Sequence, residues 1–222
     1  AFDELGGWQL DLHEWRMVIK AENYSDAAHS FVSMASWYLN WYARFRNTTQ
    51  FNLLTSDYAL YWFDYKAGYD AVLAELGWNY SRQLNIALCR GAANMHRKDW
   101  GAIITWTYTH PPYIEPGEEL YNDLILAYEN GAKYIVVFDS DKNYTQSILK
   151  QEHLDALKNF RQYAKDHPRK GEDPGKRVAY VLPKDYGYGF RGPNDKTWGF
   201  WEADSLSNRL CNNIGSLLEN YG

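Results

Sequence analysis

Ala71-Val-Leu-Ala-Glu-Leu-Gly-Trp-Asn79 opens on four apolar residues, meets one acid and breaks at a glycine. Four apolar side chains in a row leave no polar face, so the run predicts a strand covered on both sides, as in a parallel sheet. Three neighbours read the same way: Phe51-Asn-Leu-Leu-Thr55 running into Ser56-Asp57, residues 101–108, and residues 133–138 running into Asp139. A further strand is expected over 177–182. Helical patterns lie between and around them. They cover 11–46 with a break near Asn23-Tyr-Ser25, 58–66 closed by Gly68, 81–96 behind Ser81, 118–130 stopped by Gly131, 151–165, and 205–220.

Strands alternating with helices predict an α/β fold. No G-x-G-x-x-G or Walker loop follows a strand, which disfavours a nucleotide-binding open sheet. The expectation is a parallel (β/α)8 TIM-barrel-like fold in one domain over residues 1–222. With a strand lost before Asp3-Glu4, six strand ends can be counted, at Glu4, Asp57, Glu75, Tyr108, Asp139 and Pro183. A closed barrel needs eight strands. The chain is therefore expected to hold five or six βα units of an incomplete barrel and to be part of a longer protein.

A charge of −5, from 23 Lys and Arg against 28 Asp and Glu, supplies no basic stripe for a nucleic acid. The longest wholly apolar run spans only residues 134–138, so no membrane span is expected. Four N-x-[ST] sequons, at Asn23, Asn47, Asn79 and Asn143, exceed the one or two expected from about chance pairing and favour a secreted or cell-surface glycoprotein. Cys89 and Cys211 form either one disulfide or two buried thiols. The six histidines show no zinc spacing, and Asp139-Ser-Asp141 lacks the Gly and Glu of a calcium loop, so neither a metal nor a cofactor is implied. The absence of a G-x-S-x-G elbow disfavours a serine esterase.

Chemistry is expected where parallel strands end, because those ends and their loops share one mouth. Carboxylates stand there at Glu4, Asp57, Glu75 and Asp139. An Asp after a strand is ordinarily a helix cap, which suits Asp139. Glu75 precedes Leu-Gly-Trp-Asn rather than a helix start, so capping explains it poorly. Aromatic residues make up 17% of the chain, and three loops mix them with polar groups. Sugar rings stack their C–H faces on such rings, and paired carboxylates cleave glycosidic bonds. Glu75, Asp57 and Glu4 are the catalytic candidates. Trp78, Asn79, Tyr58, Trp62, Trp106, Tyr108, His110, Tyr113, Asp139, Tyr188 and Arg191 are the candidate contacts to a carbohydrate ligand.

Through Asp3-Glu-Leu-Gly-Gly7, Thr55-Ser-Asp-Tyr58, Ala74-Glu-Leu-Gly-Trp-Asn79, Trp100-Gly-Ala-Ile-Ile-Thr-Trp106 and the run 131–138, the chain resembles (β/α)8-barrel glycoside hydrolases. The resemblance implies an acid/base at the end of the fourth strand, on Glu75, and a nucleophile at the end of the seventh. The run 177–182 would be that seventh strand, but it ends in Pro183-Lys-Asp185 with no Glu. Asp57 and Glu4 therefore stand ahead of Asp185 as partners of Glu75. A non-catalytic carbohydrate-binding, surface-layer or assembly domain is the competing expectation.

Overall fold

The structure, a computed structural model, describes residue 18 and residues 20–43, 52–169 and 178–221. Among the described residues the chain order is α1 (Tyr24–Ala43), β1 (Leu54–Asp57), α2 (Tyr61–Ala67), β2 (Ala71–Leu76), α3 (Arg82–His96), β3 (Asp99–Ile104), α4 (Gly117–Glu129), β4 (Tyr134–Val137), α5 (Gln151–Asp166) and α6 (Ser205–Tyr221). The caps are those the sequence signals. Asn23 Oδ1 accepts from the Asp26 amide at 2.9 Å, so the expected break near Asn23 is where α1 begins. Ser81 Oγ accepts from the Leu84 amide at 3.4 Å to open α3. Gly68 and Gly131 follow α2 and α4 with φ of 123° and 93°, which a side chain would resist.

The four strands form one parallel sheet in the order β1-β2-β3-β4, which is their order in the chain. Alternation along β2 divides the sheet into two faces. Val72, Ala74 and Leu76 join Trp100, Ala102 and Ile104 in a core with Tyr61 and Tyr65 of α2, Ile86 and Cys89 of α3, and Leu120 and Leu124 of α4. All three crossover helices thus cover the same face, as right-handed connections between neighbouring strands require. The opposite face carries Leu73, Ile103 and Phe138, packed with Trp106 and Tyr134. Glu75 takes its place on that second face by the same alternation, in register with Ile103.

The second face leaves no room at Gly101. A Cβ there would lie 2.5 Å from both Leu73 Cδ2 and the Tyr134 carbonyl oxygen. Gly101→Ala is therefore expected to destabilise the protein by about 1–3 kcal/mol through overpacking, read as a lower urea midpoint at an unchanged m-value.

A second body of packing ties the C-terminal segment to α1 and α2. Trp198 is buried with Ala27, Ala28 and Phe63, and its ring lies 4.7 Å from Phe63 and 5.9 Å from Phe31. Tyr24 meets Tyr186 and Trp201 edge-on at 5.1 and 5.0 Å. Tyr186, Tyr188 and Leu210 complete this core. Asp204 Oδ1 accepts from the Leu206 and Ser207 amides and from the Tyr186 hydroxyl at 2.8–2.9 Å, so one carboxylate both caps α6 and anchors the segment. Those amide bonds, the Ser207 one foremost, hold Asp204 below the usual carboxylate range.

Two expectations are corrected. The strand expected over 101–108 stops at Ile104, because the Thr107 and Tyr108 amides both turn to the Tyr113 carbonyl instead of to a neighbouring strand. The strand expected over 177–182 is not formed: residues 178–182 join no ladder, and Val181 is 89% exposed. A β-branched run satisfies the propensity for a strand, but a strand also needs an edge to pair with. Of the two readings of the cysteines the thiols hold: Cys89 and Cys211 are both free, Cys89 buried with its Sγ donating to the Val72 carbonyl at 3.4 Å and Cys211 half-buried. The strand expected before Glu4 lies outside the described residues. Among the described residues, no helix is long and apolar enough to cross a membrane.

Candidate functional site

Because all four strands run the same way, their C-terminal ends share one edge, and the loops after β1, β2, β3 and β4 gather there. Glu75, next to last in the central strand β2, is 1% exposed. Asn85 of α3 donates to its carbonyl oxygen at 2.7 Å, which holds the end of β2 against that helix. At the end of β1, Asp57 Oδ1 accepts from the Ala59 and Leu60 amides at 2.7 and 2.9 Å. Asp57 thus caps the approach to α2, a short helix whose N-cap residue, Leu60, has no capping side chain. Burial raises its carboxyl and those two amides oppose the rise. Glu4 lies outside the described residues.

Asp64 is buried on α2. Burial first, then the charges of Asp57 and Glu75, push its carboxyl well above the usual range. Tyr61 is raised well above its ordinary value by burial, then by Cys89 and the carboxyls of Asp57, Glu75 and Asp64. Asp57, Asp64 and Glu75 therefore sit close enough to feel one another.

The aromatic candidates divide into two groups. Tyr58, after β1, packs edge-on against Tyr80, after β2, with ring centres 5.2 Å apart. Trp106 stacks on Tyr113 at 5.1 Å, and its Nε1 donates to the Ser140 carbonyl at 3.0 Å, joining the loops after β3 and β4. Tyr108 and His110 are exposed on the same loop, whose turn is closed by Tyr113 donating to the His110 carbonyl. Trp78 is half-buried and Asn79 exposed. These residues do line one edge.

Two other candidates do not sit there as expected, and a third is already paired. Trp62 lies 4.3 Å from the His96 ring, at the end of α3 remote from the strand tips, so it belongs to the helical layer. Tyr188 is buried in the C-terminal core, with its hydroxyl donating to the Gly192 carbonyl and burial raising its pKa. Arg191 makes a bidentate pair with Asp195 at 2.8 and 2.9 Å and reaches the Tyr80 hydroxyl, so its charge is already met. Asp139 is exposed, but its Oδ1 accepts from the Ile148 amide at 2.9 Å and so fixes the 140–149 loop. Of the sequon asparagines, Asn79 and Asn143 are exposed, Asn23 is exposed with its Oδ1 given to the α1 cap, and Asn47 lies outside the described residues. Among the described residues, no three His, Cys, Asp or Glu side chains are grouped to hold a metal ion.

Behind the loops lies a buried charge network. Arg82, the first residue of α3, donates through Nη2 to Glu115 Oε2 at 2.8 Å and through Nε to Asp123 Oδ2 at 3.0 Å. Glu115 is fully buried, and the Thr107 hydroxyl donates to it at 3.3 Å. Two carboxylates share one guanidinium, so burial and then the Asp123 charge push the Glu115 carboxyl up to about 8, against the pull of Arg82. Asp123 is also raised, by burial. The folded state therefore keeps a proton that the unfolded chain releases near 4.5. Stability from this site is full below that value and falls as pH rises through about 8. Urea unfolding at pH 5, 7 and 9 is expected to show the decline, and Glu115→Gln, which carries no titrating proton, is expected to flatten it.

No protein-family model, no curated protein and no solved structure matches this chain.

Proposed function

We propose that the C-terminal edge of the sheet is a carbohydrate site of the glycoside hydrolase type, in a secreted protein, built on an arc of a (β/α)8 barrel. The barrel reading is supported by strand order: strands that follow chain order with every crossover helix on one face make an arc. A doubly wound sheet reverses direction at a switch point and carries helices on both faces. The observation that carries the function is the row of aromatic side chains along this edge, Tyr58 and Tyr80, Trp106 and Tyr113, with Glu75 at the end of the central strand between their loops. Rings supply faces for sugar stacking, and this reading gives the Glu75 carboxylic acid the task of protonating a glycosidic oxygen.

Tyr108 gives the direct test, because it is 43% exposed and its removal leaves the core intact. Against a panel of neutral oligosaccharides, Tyr108→Ala is expected to weaken binding about five- to tenfold, the worth of one ring contact. Calorimetry reads this, with an unchanged melting temperature as the control. No binding by the native protein to any member of the panel would overturn the proposal.

One observation favours a second reading, binding without cleavage. Asp57 and Asp139 both give an oxygen to backbone amides, and Glu75 at 1% exposure meets a sugar only once a covering group is displaced. Binding to the panel with no turnover of any activated aryl glycoside selects that reading.

A further inference from the structure

Arg82 touches both binding loops at once. From one guanidinium, Nη1 donates to the Trp78 carbonyl at 2.9 Å and the Tyr80 carbonyl at 3.1 Å, both in the loop after β2. The opposite side of the fork holds Glu115 and Asp123. Glu115 belongs to the loop after β3, where Thr107 also binds it. On α5, His153 Nδ1 accepts from the Lys150 amide at 2.8 Å, so its Nε2 carries the hydrogen and donates to the Glu115 carbonyl at 2.9 Å. Glu152 of the same helix accepts from the Gly117 amide at 3.2 Å. The two loops also meet directly: the Trp78 amide donates to the Trp106 carbonyl at 2.9 Å, and a Cβ on Gly77 would lie 2.7 Å from that same oxygen. Backbone carbonyls, two carboxylates and one rigid fork thus fix the spacing of Trp78 from Trp106.

We propose that Arg82, seated on Glu115 and Asp123, is a positioning residue that couples the loop after β2 to the loop after β3 and sets the gap in which a ligand ring is held. The nature of the ligand rests on the saccharide reading above; the coupling does not. Arginine is needed for it. A lysine presents one compact charge and cannot span carbonyls on one side and two carboxylates on the other. An ion pair buried this way adds little net stability against an apolar replacement, so fixing geometry is the reason it invites.

Arg82→Lys separates this role from a merely structural one when amide hydrogen exchange is read residue by residue. The Trp78, Thr107 and Tyr108 amides are expected to exchange at least tenfold faster, while those of Ala74 and Ala102 inside the sheet keep their protection. Acceleration confined to residues 77–80, or spread equally over the sheet, overturns the proposal. Should Arg82→Lys fail to fold, Glu115→Leu replaces it, keeping much of the volume but removing the acceptor that Arg82 and Thr107 share, with at least a threefold change at the same three amides. Oligosaccharide affinity measured alongside is expected to fall about tenfold in Arg82→Lys. Unchanged loop exchange in a protein that binds saccharide overturns the coupling alone. Coupled loops in a protein that binds none overturn the saccharide reading and leave the coupling standing.

Discussion

Trp198→Ala is expected to lower the free energy of unfolding by about 3–5 kcal/mol, the range for emptying a buried large aromatic. Trp198 is 1% exposed, and three kinds of contact disappear with it. The ring leaves Phe63 and Phe31, against which it packs at 4.7 and 5.9 Å. The indole N–H bond to the Asp185 carbonyl, 3.0 Å long, is lost and leaves that acceptor without its donor. The ring also fills space over Gly187, where a Cβ would meet it at 2.6 Å, so Gly187 brings no side chain of its own to close the vacated volume. Urea unfolding followed by circular dichroism measures the loss, and Trp198→Phe, which keeps part of the ring, is expected to cost roughly half as much. A loss under about 1 kcal/mol would mean that the segment from Tyr186 to Trp201 contributes little to holding α1 and α2 together.

This core explains part of the aromatic excess that sequence reading assigned to ligand contact. The Gly-rich run Tyr186-Gly-Tyr-Gly-Phe190 looks like a binding loop because glycine frees its rings from regular geometry. In the structure the glycines admit close packing instead, and Tyr186 and Tyr188 face Leu210. Composition counts rings but does not say which side of a loop is covered. The sheet was legible for a different reason. Val72, Ala74, Ala102 and Ile104 are apolar on the helix face while Leu73 and Ile103 are apolar on the other, and only a strand covered twice writes that pattern. The run Val178-Ala-Tyr-Val-Leu182 writes it too yet stands exposed, since pairing is a property of two segments and the sequence shows one.

The edge of the sheet was legible as a place and less so as chemistry. Glu75 and Asp57 were singled out because strand ends are where parallel sheets gather function. Asp57 then proved to be a cap, a role decided by two amides within three residues of it. Arg82 escaped notice because its importance lies in partners far along the chain. Arg82 meets groups 33 and 41 residues away, and no local spacing rule connects them.

Glu75→Gln is expected to reduce the hydrolysis of an oligosaccharide by about 10²–10⁴-fold, the contribution of a positioned general acid, while leaving affinity for the same sugar within a few-fold of native. Glutamine keeps the size of the side chain on the crowded face beside Leu73 and Ile103, so the sheet is expected to hold. The leaving group sharpens the result. A sugar alkoxide departs only with a proton, whereas a dinitrophenolate departs without one. If Glu75 is the acid, the variant should keep most of its activity on a dinitrophenyl glycoside and lose it on the oligosaccharide. Equal loss on both would instead make Glu75 the nucleophile, since attack at the anomeric carbon precedes any question of the leaving group. Full activity on both would remove Glu75 from the chemistry, and the carboxylate would then be a buried feature of β2 whose neighbours, Asp57 and Asp64, shape its surroundings rather than a reaction.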